Sequence, residues 1–399
     1  MRHVFICGAK SMARYGGYET FVDKLTEYMP KDAGLKIHVA CKANGDGCMD
    51  ERLIPGVKRI SDTEFEYHNA HCFKIFVPSI GPAAAIWYDL AALRYCLGYC
   101  RSQGVFAPVV YVLACRIGPW IGGIKRKILR LDGRLYVNPD GHEWLRKKWP
   151  WAVRRYWKLS ERLTVKQADL VICDSRNIEA YIRREYGAYR PRTAFIAYGA
   201  ETGPSALDDR DPRFADWMRT HRLTPGGYYL AVGRYVPENN YETMIREMMR
   251  SPTNKDFVLI TNAGGGQLKR LEKKLRFAQD GRIKFAGAVY DQELLRKIRE
   301  NAYASLHGHE VGGTNPSLLE GMAATGLNLL LDVKFNREVG GNAALYWTKE
   351  EGSLASLIKK ADGMTREKRE EYAAAAQRRI RENYSWQSVA QAYRNVFKA

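Results

Sequence analysis

The chain has 399 residues, 46% of them hydrophobic, and a formal net charge of +19. That length exceeds one ordinary core and predicts two domains. The charge favours anionic partners, whether nucleic acid, phosphorylated metabolites or an acidic membrane surface. The eight cysteines all fall at or before position 173 and none forms a CxxC pair, which argues against a zinc ribbon and for reduced thiols in a cytosolic protein. No charged-then-apolar leader is read at the N-terminus. The most apolar stretch, 107–124, is interrupted by Arg116 and two prolines and is too short to span a bilayer.

In chain order, residues 4–7 (VFIC) predict a buried strand. A loop with Gly8, Gly16 and Gly17 follows, carrying Lys10 and Arg14, and then Phe21, Leu25 and Tyr28 at helical spacing. A strand, a glycine loop and a helix start form an anion site, because free N–H groups point outward and glycine lets a ligand approach the backbone. A tight turn with surface charges has the same letters. Further strands are predicted at 36–41, 72–77, 109–114, 135–138, 170–173 and 193–197, with helices at 20–29 and 84–103 between them. The alternation predicts an α/β fold with a parallel sheet covered on both faces. Residues 200–225 are polar and rich in Pro, Gly and Asp, as a domain junction is. The rhythm restarts with strands at 228–232, 257–261, 283–285, 304–306 and 328–331, and residues 366–399 read as helical. Two doubly wound domains are therefore expected to face each other across a cleft, with ligands beyond the carboxyl ends of the strands.

Three loops of the second half sit at predicted strand ends: GRYVPENN at 233–240, NAGGGQ at 262–267 and HEVGGTNPSLLEGMA at 309–323. In the third, Pro316 suits a helix's first turn and Thr314 or Asn315 is placed to cap it. Glu320, one turn in, is positioned to accept two hydrogen bonds from a ribose diol. An acid stabilised by the helix dipole is the plain alternative. His68, His71 and Cys72 are read as structural, and His307 with His309 completes no metal set.

GRYVPENN, the glycine turn and GGTNPSLLEGMA together resemble glycosyltransferase family 4. ARYGGYETFV at 13–22 and NPDGHEW at 138–144 resemble its bacterial rhamnosyltransferase-like branch. The resemblance covers nearly the whole chain and implies the GT-B fold, two Rossmann-like domains. The first domain, 1–205 with a returning C-terminal helix at 385–399, is expected to take the acceptor. The second, 206–384, is expected to hold the nucleotide sugar. It implies that Gly16 and Gly17, with Arg14, meet the donor diphosphate, and that Arg234 binds phosphate through its guanidinium fork. Gly265, Gly312, Gly313, Thr314, Asn315, Ser317 and Glu320 complete the donor site, with Glu320 on the ribose. Two positions depart from the family pattern. The usual lysine five residues after Arg234 is Asn239, so Arg14 or Lys10 is expected to compensate. The first glutamate of the usual pair is Gly312, which suggests a donor such as a 6-deoxysugar and leaves His309 and Glu310 as polar candidates. Asp140, Arg234 and His309 are the expected catalytic residues; Asp140, with His142 and Glu143, is placed to face the acceptor hydroxyl or the sugar. The implied reaction keeps the anomeric configuration and needs no metal and no cofactor beyond the donor, for which dTDP-L-rhamnose is the first candidate.

Between 143 and 166, eight basic residues (146, 147, 148, 154, 155, 158, 162 and 166) stand among aromatics against Glu143 and Glu161. Such a stretch suits an anionic membrane interface, single-stranded nucleic acid or an ordinary exposed helix. The family branch favours the membrane, since its acceptors are commonly lipid-pyrophosphate-linked saccharides; residues 116–130 are expected to join that face. The expectation is a glycosyltransferase on the inner face of the cell membrane, peripheral and cytoplasmic, that binds no nucleic acid. UDP- or GDP-linked donors, a nucleotide-sugar epimerase or phosphorylase, and a basic nucleic-acid-binding protein are the rivals. Residues 383–397 resemble the family's closing helix.

Overall fold

The computed structural model describes every residue except Tyr15, Ala33, Lys147 and Lys148, so two cations of the basic stretch lie outside the described residues. The chain divides into two compact units, Met1–Gly199 with Trp386–Ala399, and Ala200–Ser385.

The first unit runs β1 (Arg2–Cys7), α1 (Gly17–Tyr28), β2 (Leu35–Lys42), β3 (Lys58–Arg59), β4 (Glu64–Tyr67), β5 (Ala70–Ile75), α2 (Ala84–Ser102), β6 (Val109–Leu113), α3 (Gly118–Leu129), β7 (Arg134–Asn138), α4 (Trp151–Gln167), β8 (Leu170–Cys173), α5 (Arg176–Glu185) and β9 (Thr193–Phe195). Its sheet has the order β3-β4-β5-β2-β1-β6-β7-β8-β9. From β5 to β9 every pairing is parallel. Strands covered on both faces become continuous apolar runs, and β6, VVYVL, is buried at all five positions. The antiparallel pairings of β3 with β4 and β4 with β5 correct the expectation of a purely parallel sheet. KR and EFEY lack the apolar pattern of a covered strand.

The second unit runs α6 (Pro212–Thr220), β10 (Tyr228–Val232), α7 (Tyr241–Arg250), β11 (Asp256–Ile260), α8 (Gly265–Leu275), β12 (Ile283–Gly287), α9 (Gln292–Glu300), β13 (Ala304–His307), α10 (Pro316–Ala324), β14 (Asn328–Leu331), α11 (Lys334–Gly340), β15 (Leu345–Trp347), α12 (Ser353–Asp362) and α13 (Arg366–Asn383). Its sheet is parallel, in the order β12-β11-β10-β13-β14-β15. β15 is absent from the sequence expectation because three residues carry no period.

The helical stretch expected at 366–399 is broken before Trp386. α13 belongs to the second unit, and α14 (Trp386–Lys398) belongs to the first. There α14 packs on α1, and Tyr393 and Phe397 stack near Tyr111 of β6. The ring of Trp386 lies so close to Gly199 that a Cβ there would fall 2.5 Å from it.

In each sheet the winding reverses once, between β1 and β6 and between β10 and β13. In such sheets the loops leaving the two strands at a reversal diverge, and ligands bind there, beyond the carboxyl ends.

Candidate functional site

In the second unit the reversal point lies between the loop after β10 and the loop after β13, the loops that hold Arg234 and His309. Arg234 is exposed, and its guanidinium has no hydrogen bond or ion pair among the described residues. Its backbone is held firmly: Asn239 Nδ2 donates to the Arg234 carbonyl at 2.7 Å, and the Tyr241 hydroxyl donates to the Gly233 carbonyl at 2.8 Å. With Nδ2 so engaged, Asn239 Oδ1 is the accepting side and faces His309 Nδ1 at 2.7 Å. That places the proton of the neutral His309 ring on Nδ1. Asn239, where the family pattern has a lysine, is thus a neutral clamp between Arg234 and His309. Asn240 Nδ2 donates to the Gly308 carbonyl at 2.8 Å, and Asn336 Nδ2 to the His309 carbonyl at 3.0 Å. Burial pushes the neighbouring His307 down to about 3, with His309 and Arg299 adding to the effect, so it stays neutral.

Gly312 has φ 128°, and a Cβ there would lie 3.7 Å from His309 Nε2. His309 therefore borders the Gly312 position at ordinary contact distance. Glu310, the other polar candidate, is ion-paired to Lys349.

α10 begins as its sequence dictates. Asn315 caps it, accepting from Ser317 N at 2.9 Å, and Pro316 occupies the first turn. Thr314 is buried. Ser317 Oγ donates to the Val232 carbonyl at 2.9 Å, which ties α10 to the end of β10. Arg299 of α9 supplies a partner invisible in the motifs: its Nη1 lies 2.7 Å from Glu320 Oε2, and its Nη2 donates to Ser317 Oγ at 3.3 Å. Glu320 Oε2 is buried and makes a charge contact rather than an aligned hydrogen bond. Arg299 thereby fixes the carboxylate that the resemblance to family 4 expects on a ribose. Gly265 opens α8 after β11, the strand beside β10, and has no atom within 4 Å of where a Cβ would sit. That loop is joined to the Arg234 loop by Tyr235 N, which donates to Asn262 Oδ1 at 2.8 Å.

In the first unit, Gly8 ends β1 with φ 120°, and a Cβ there would fall 2.5 Å from the Leu113 carbonyl oxygen of β6. Only glycine permits that approach. Gly16 is extended and caps α1 without a side chain. A Cβ on Gly16 would fall 2.2 Å from Glu19 Oε2, while Glu19 Oε1 accepts from Lys10 N at 2.9 Å. Gly16 therefore first makes room for a carboxylate in the first turn of α1. Gly17 is exposed with nothing within 4 Å of a Cβ position. Lys10 is paired with Asp46 at 2.8 Å, whereas the Arg14 guanidinium is exposed and makes no hydrogen bond among the described residues.

NPDGHEW leaves β7 in a tight left-handed path, with Asp140 at φ 61° and His142 at φ 46°. Asn138 Oδ1 accepts from Asp140 N, and Asp140 Oδ1 from Gly141 N, both at 2.8 Å. Glu143 turns away: Trp149 Nε1 donates to it at 2.8 Å, and Arg146 pairs with it at 2.7 Å. His142 packs on the Tyr181 ring at 4.4 Å. Around Asp140 lies a polar cluster that the motifs do not announce. Arg116, after β6, donates to buried Asp89 of α2 at 3.3 Å. Burial pushes Asp89 up to about 6 against the pull of Arg116. Tyr18 in the first turn of α1 is pushed well up by burial and by the charge of Asp140. Ser11 Oγ, Tyr18 Oη and Asn138 Nδ2 are buried without a protein hydrogen-bond partner. The sequence signal for Arg116 was present, a lone cation inside an apolar run; its partner in another helix was not.

Residues 1–201, half of the chain, match the family model described as a domain of unknown function, DUF1972. No curated protein matches the sequence. Among solved structures, the sucrose-phosphate synthase (tll1590) from Thermosynechococcus elongatus is 16% identical, with a TM-score of 0.74 and 100% of both chains covered. The Anabaena protein Alr3699/HepE in complex with UDP is 15% identical, with a TM-score of 0.71 and 100% of both chains covered. A glycosyltransferase from Rickettsia africae ESF-5 is 12% identical, with a TM-score of 0.72, covering 100% of this chain and 98% of that one. At these identities the likeness carries the fold, which is GT-B. By its sequence match, the chain belongs to the DUF1972 family.

Proposed function

We propose that the protein is a retaining glycosyltransferase of family 4, in the rhamnosyltransferase-like branch. It moves a sugar from a nucleotide-sugar donor, dTDP-L-rhamnose first among candidates, to a hydroxyl of a lipid-linked saccharide. The observation that carries the reading is the clamp at the second unit's reversal point, where one side chain, Asn239, fixes both Arg234 and His309. The Anabaena relative in complex with UDP and glucose supports a nucleotide sugar as donor. In this reading residues 206–384 hold the donor, and residues 1–205 with 385–399 hold the acceptor.

The barrier in glycosyl transfer lies in separating an electron-poor sugar from a diphosphate that gains charge, so preorganised cations and N–H groups on that diphosphate lower it most. In the second unit Arg234 supplies an unpaired fork; in the first, Arg14 with the N–H groups at Gly16 and Gly17 offers an anion contact. Gly265, Gly312 and Gly313 give backbone access; Thr314, Asn315 and Ser317 shape the start of α10. Glu320, steadied by Arg299, takes the ribose hydroxyls. His309 bonds the donor sugar beside Gly312. Asp140 accepts the hydrogen bond of the attacking hydroxyl. The acceptor oxygen bonds the anomeric carbon as the bond to the diphosphate oxygen breaks, and the diphosphate leaves with the electron pair and takes up the proton of the attacking hydroxyl.

The same reading places the enzyme on the inner membrane surface. No described helix is long and apolar enough to cross a bilayer. Trp87, Trp120 and Trp151, in the first turns of α2, α3 and α4, are 38%, 45% and 69% exposed. Arg155 lies 4.9 Å over the Trp151 ring. Indole with adjacent cations suits anionic headgroups.

Turnover of dTDP-, UDP- and GDP-sugars with a lipid-linked acceptor tests the proposal. Transfer is expected from one donor series, with Arg234→Ala and Glu320→Ala each lowering kcat/KM by about 100-fold. Wild-type activity in both variants overturns it. Sedimentation with anionic liposomes at low and high salt tests the docking, and absence of binding at both refutes it.

A further inference from the structure

We propose a second anion site in the first unit, a pocket at the amino ends of β8 and β9 that binds a phosphate-bearing ligand through Arg190 and Arg192. The pocket has a volume of about 490 Å³ and is lined by Arg183, Gly187, Arg190, Pro191, Arg192 and Thr193 among others. It lies at the opposite ends of the strands from Asp140 and Arg116, so it is separate from the crevice of that sheet.

Its charges are unequal in a telling way. Arg183 is fully engaged: Nε donates to Thr193 Oγ1 at 2.7 Å, and Nη2 pairs with Glu179 at 2.8 Å. Thr193 Oγ1 also donates to Glu179 Oε1 at 2.8 Å. Glu179 is thereby committed to Arg183 and Thr193. The guanidinium groups of Arg190 and Arg192 have no ion pair or hydrogen bond among the described residues, so two cations border the pocket without a counter-charge. Arg190 is also held at φ 47° and ψ 53°, at the end of the short turn Gly187–Tyr189. That region suits glycine or asparagine. Pro191 then fixes the backbone between the two arginines. A backbone that resists relaxation presents both side chains from a defined turn.

Two forks beside a pocket match the tetrahedral oxygens of phosphate, and pyrophosphate better than a single phosphate because both can be engaged. None of the lining residues is aromatic, so no base-stacking surface is offered. The ligand is recognised by its phosphates, supplied by a soluble diphosphate or by a lipid headgroup.

Titration calorimetry of the full chain with inorganic pyrophosphate at low salt tests the site. The double variant Arg190→Gly/Arg192→Gln is expected to weaken one class of pyrophosphate binding by at least about tenfold, and Arg234→Ala is expected to leave that class intact. Arg190→Gly removes a left-handed side chain, so the melting temperature is expected to hold or rise; it serves as the folding control. In a parallel arm, sedimentation with phosphatidylglycerol vesicles compares wild type and double variant. A loss confined to pyrophosphate identifies a soluble ligand, and a loss confined to vesicles identifies a headgroup. Unchanged binding in both arms overturns the site, and leaves the reading of Arg234 untouched.

Discussion

The two reversal points are built in opposite ways. In the second unit the side chains around Arg234 are already committed: Asn239, Asn240, Tyr241, Ser317 and Asn336 each bond a neighbouring loop carbonyl. What remains unpaired there is a cation at the surface, and Thr261 Oγ1, His307 Nε2 and Glu320 Oε2 are buried without a hydrogen bond. In the first unit the polar atoms are inside and short of protein partners, with Ser11, Tyr18 and Asn138 among them. Buried polar groups normally find a bond. A framework with these five carbonyls tied suits a ligand held in one pose. A cluster with spare donors suits a ligand whose hydroxyls complete it, the expected contrast between donor and acceptor.

The contrast breaks most visibly at Arg116. Arg116→Met leaves Asp89 buried and unpaired and is expected to destabilise the protein by about 3 kcal/mol, read by urea unfolding. Adding Asp89→Asn should recover part of that loss. If Arg116→Met melts like wild type, the pair is not what holds the cluster together.

The next effect belongs to a feature with no counterpart in the second unit, the histidine row in the first sheet. His3 Nδ1 meets His38 Nε2 at 2.9 Å, and His38 Nδ1 meets His71 Nδ1 at 2.9 Å. Burial, and then the charges of His71, His3 and Lys36, push His38 down from 6.5 to about 2. Between those values the unfolded chain binds a proton that the folded chain refuses. Stability is therefore whole above pH 6.5 and falls as pH drops through the window, by about 2 kcal/mol at pH 5. His38→Phe should flatten that decline in pH-dependent denaturation; an unchanged acid slope refutes the assignment.

Within the second unit, Asn239→Ala frees both the Arg234 carbonyl and the His309 ring. A fall of about tenfold in kcat/KM is expected, about 1.4 kcal/mol of positioning, with thermal stability nearly unchanged. An equal effect on melting and on rate would make Asn239 ordinary scaffolding. The smallest effect is expected at Tyr393, whose hydroxyl meets that of Tyr111 at 3.0 Å. Tyr393→Phe should lower stability by about 1 kcal/mol in thermal unfolding.

Much of this architecture is legible in the letters. Strands such as VVYVL and LVIC carry continuous apolar runs, and the loops at 233–240 and 309–323 carry the residues that meet at the reversal point. The hairpin of β3 and β4 is not legible, since KR is two letters long and EFEY, although it alternates, spans only two periods. Arg116 with Asp89 and Arg299 with Glu320 escape for another reason. Each pair joins helices or loops brought side by side only by strand order, which spacing along one segment does not encode. The role of Asn239 is equally hidden: as a letter it reads as a lost lysine, and only its two bonds reveal a clamp.

One consequence follows from the split membership of the first unit. Arg2 donates to the carbonyls of Lys398 at 2.8 Å and Phe397 at 3.2 Å, so β1 is finished by a helix that is made only after the whole of the second unit. During translation the second unit has all its parts before the first does. The apolar side of α1, with Phe21, waits in nascent form until residues 386–399 arrive to cover it, and a premature stop codon shortly before Trp386 would leave that side bare to chaperones and proteases.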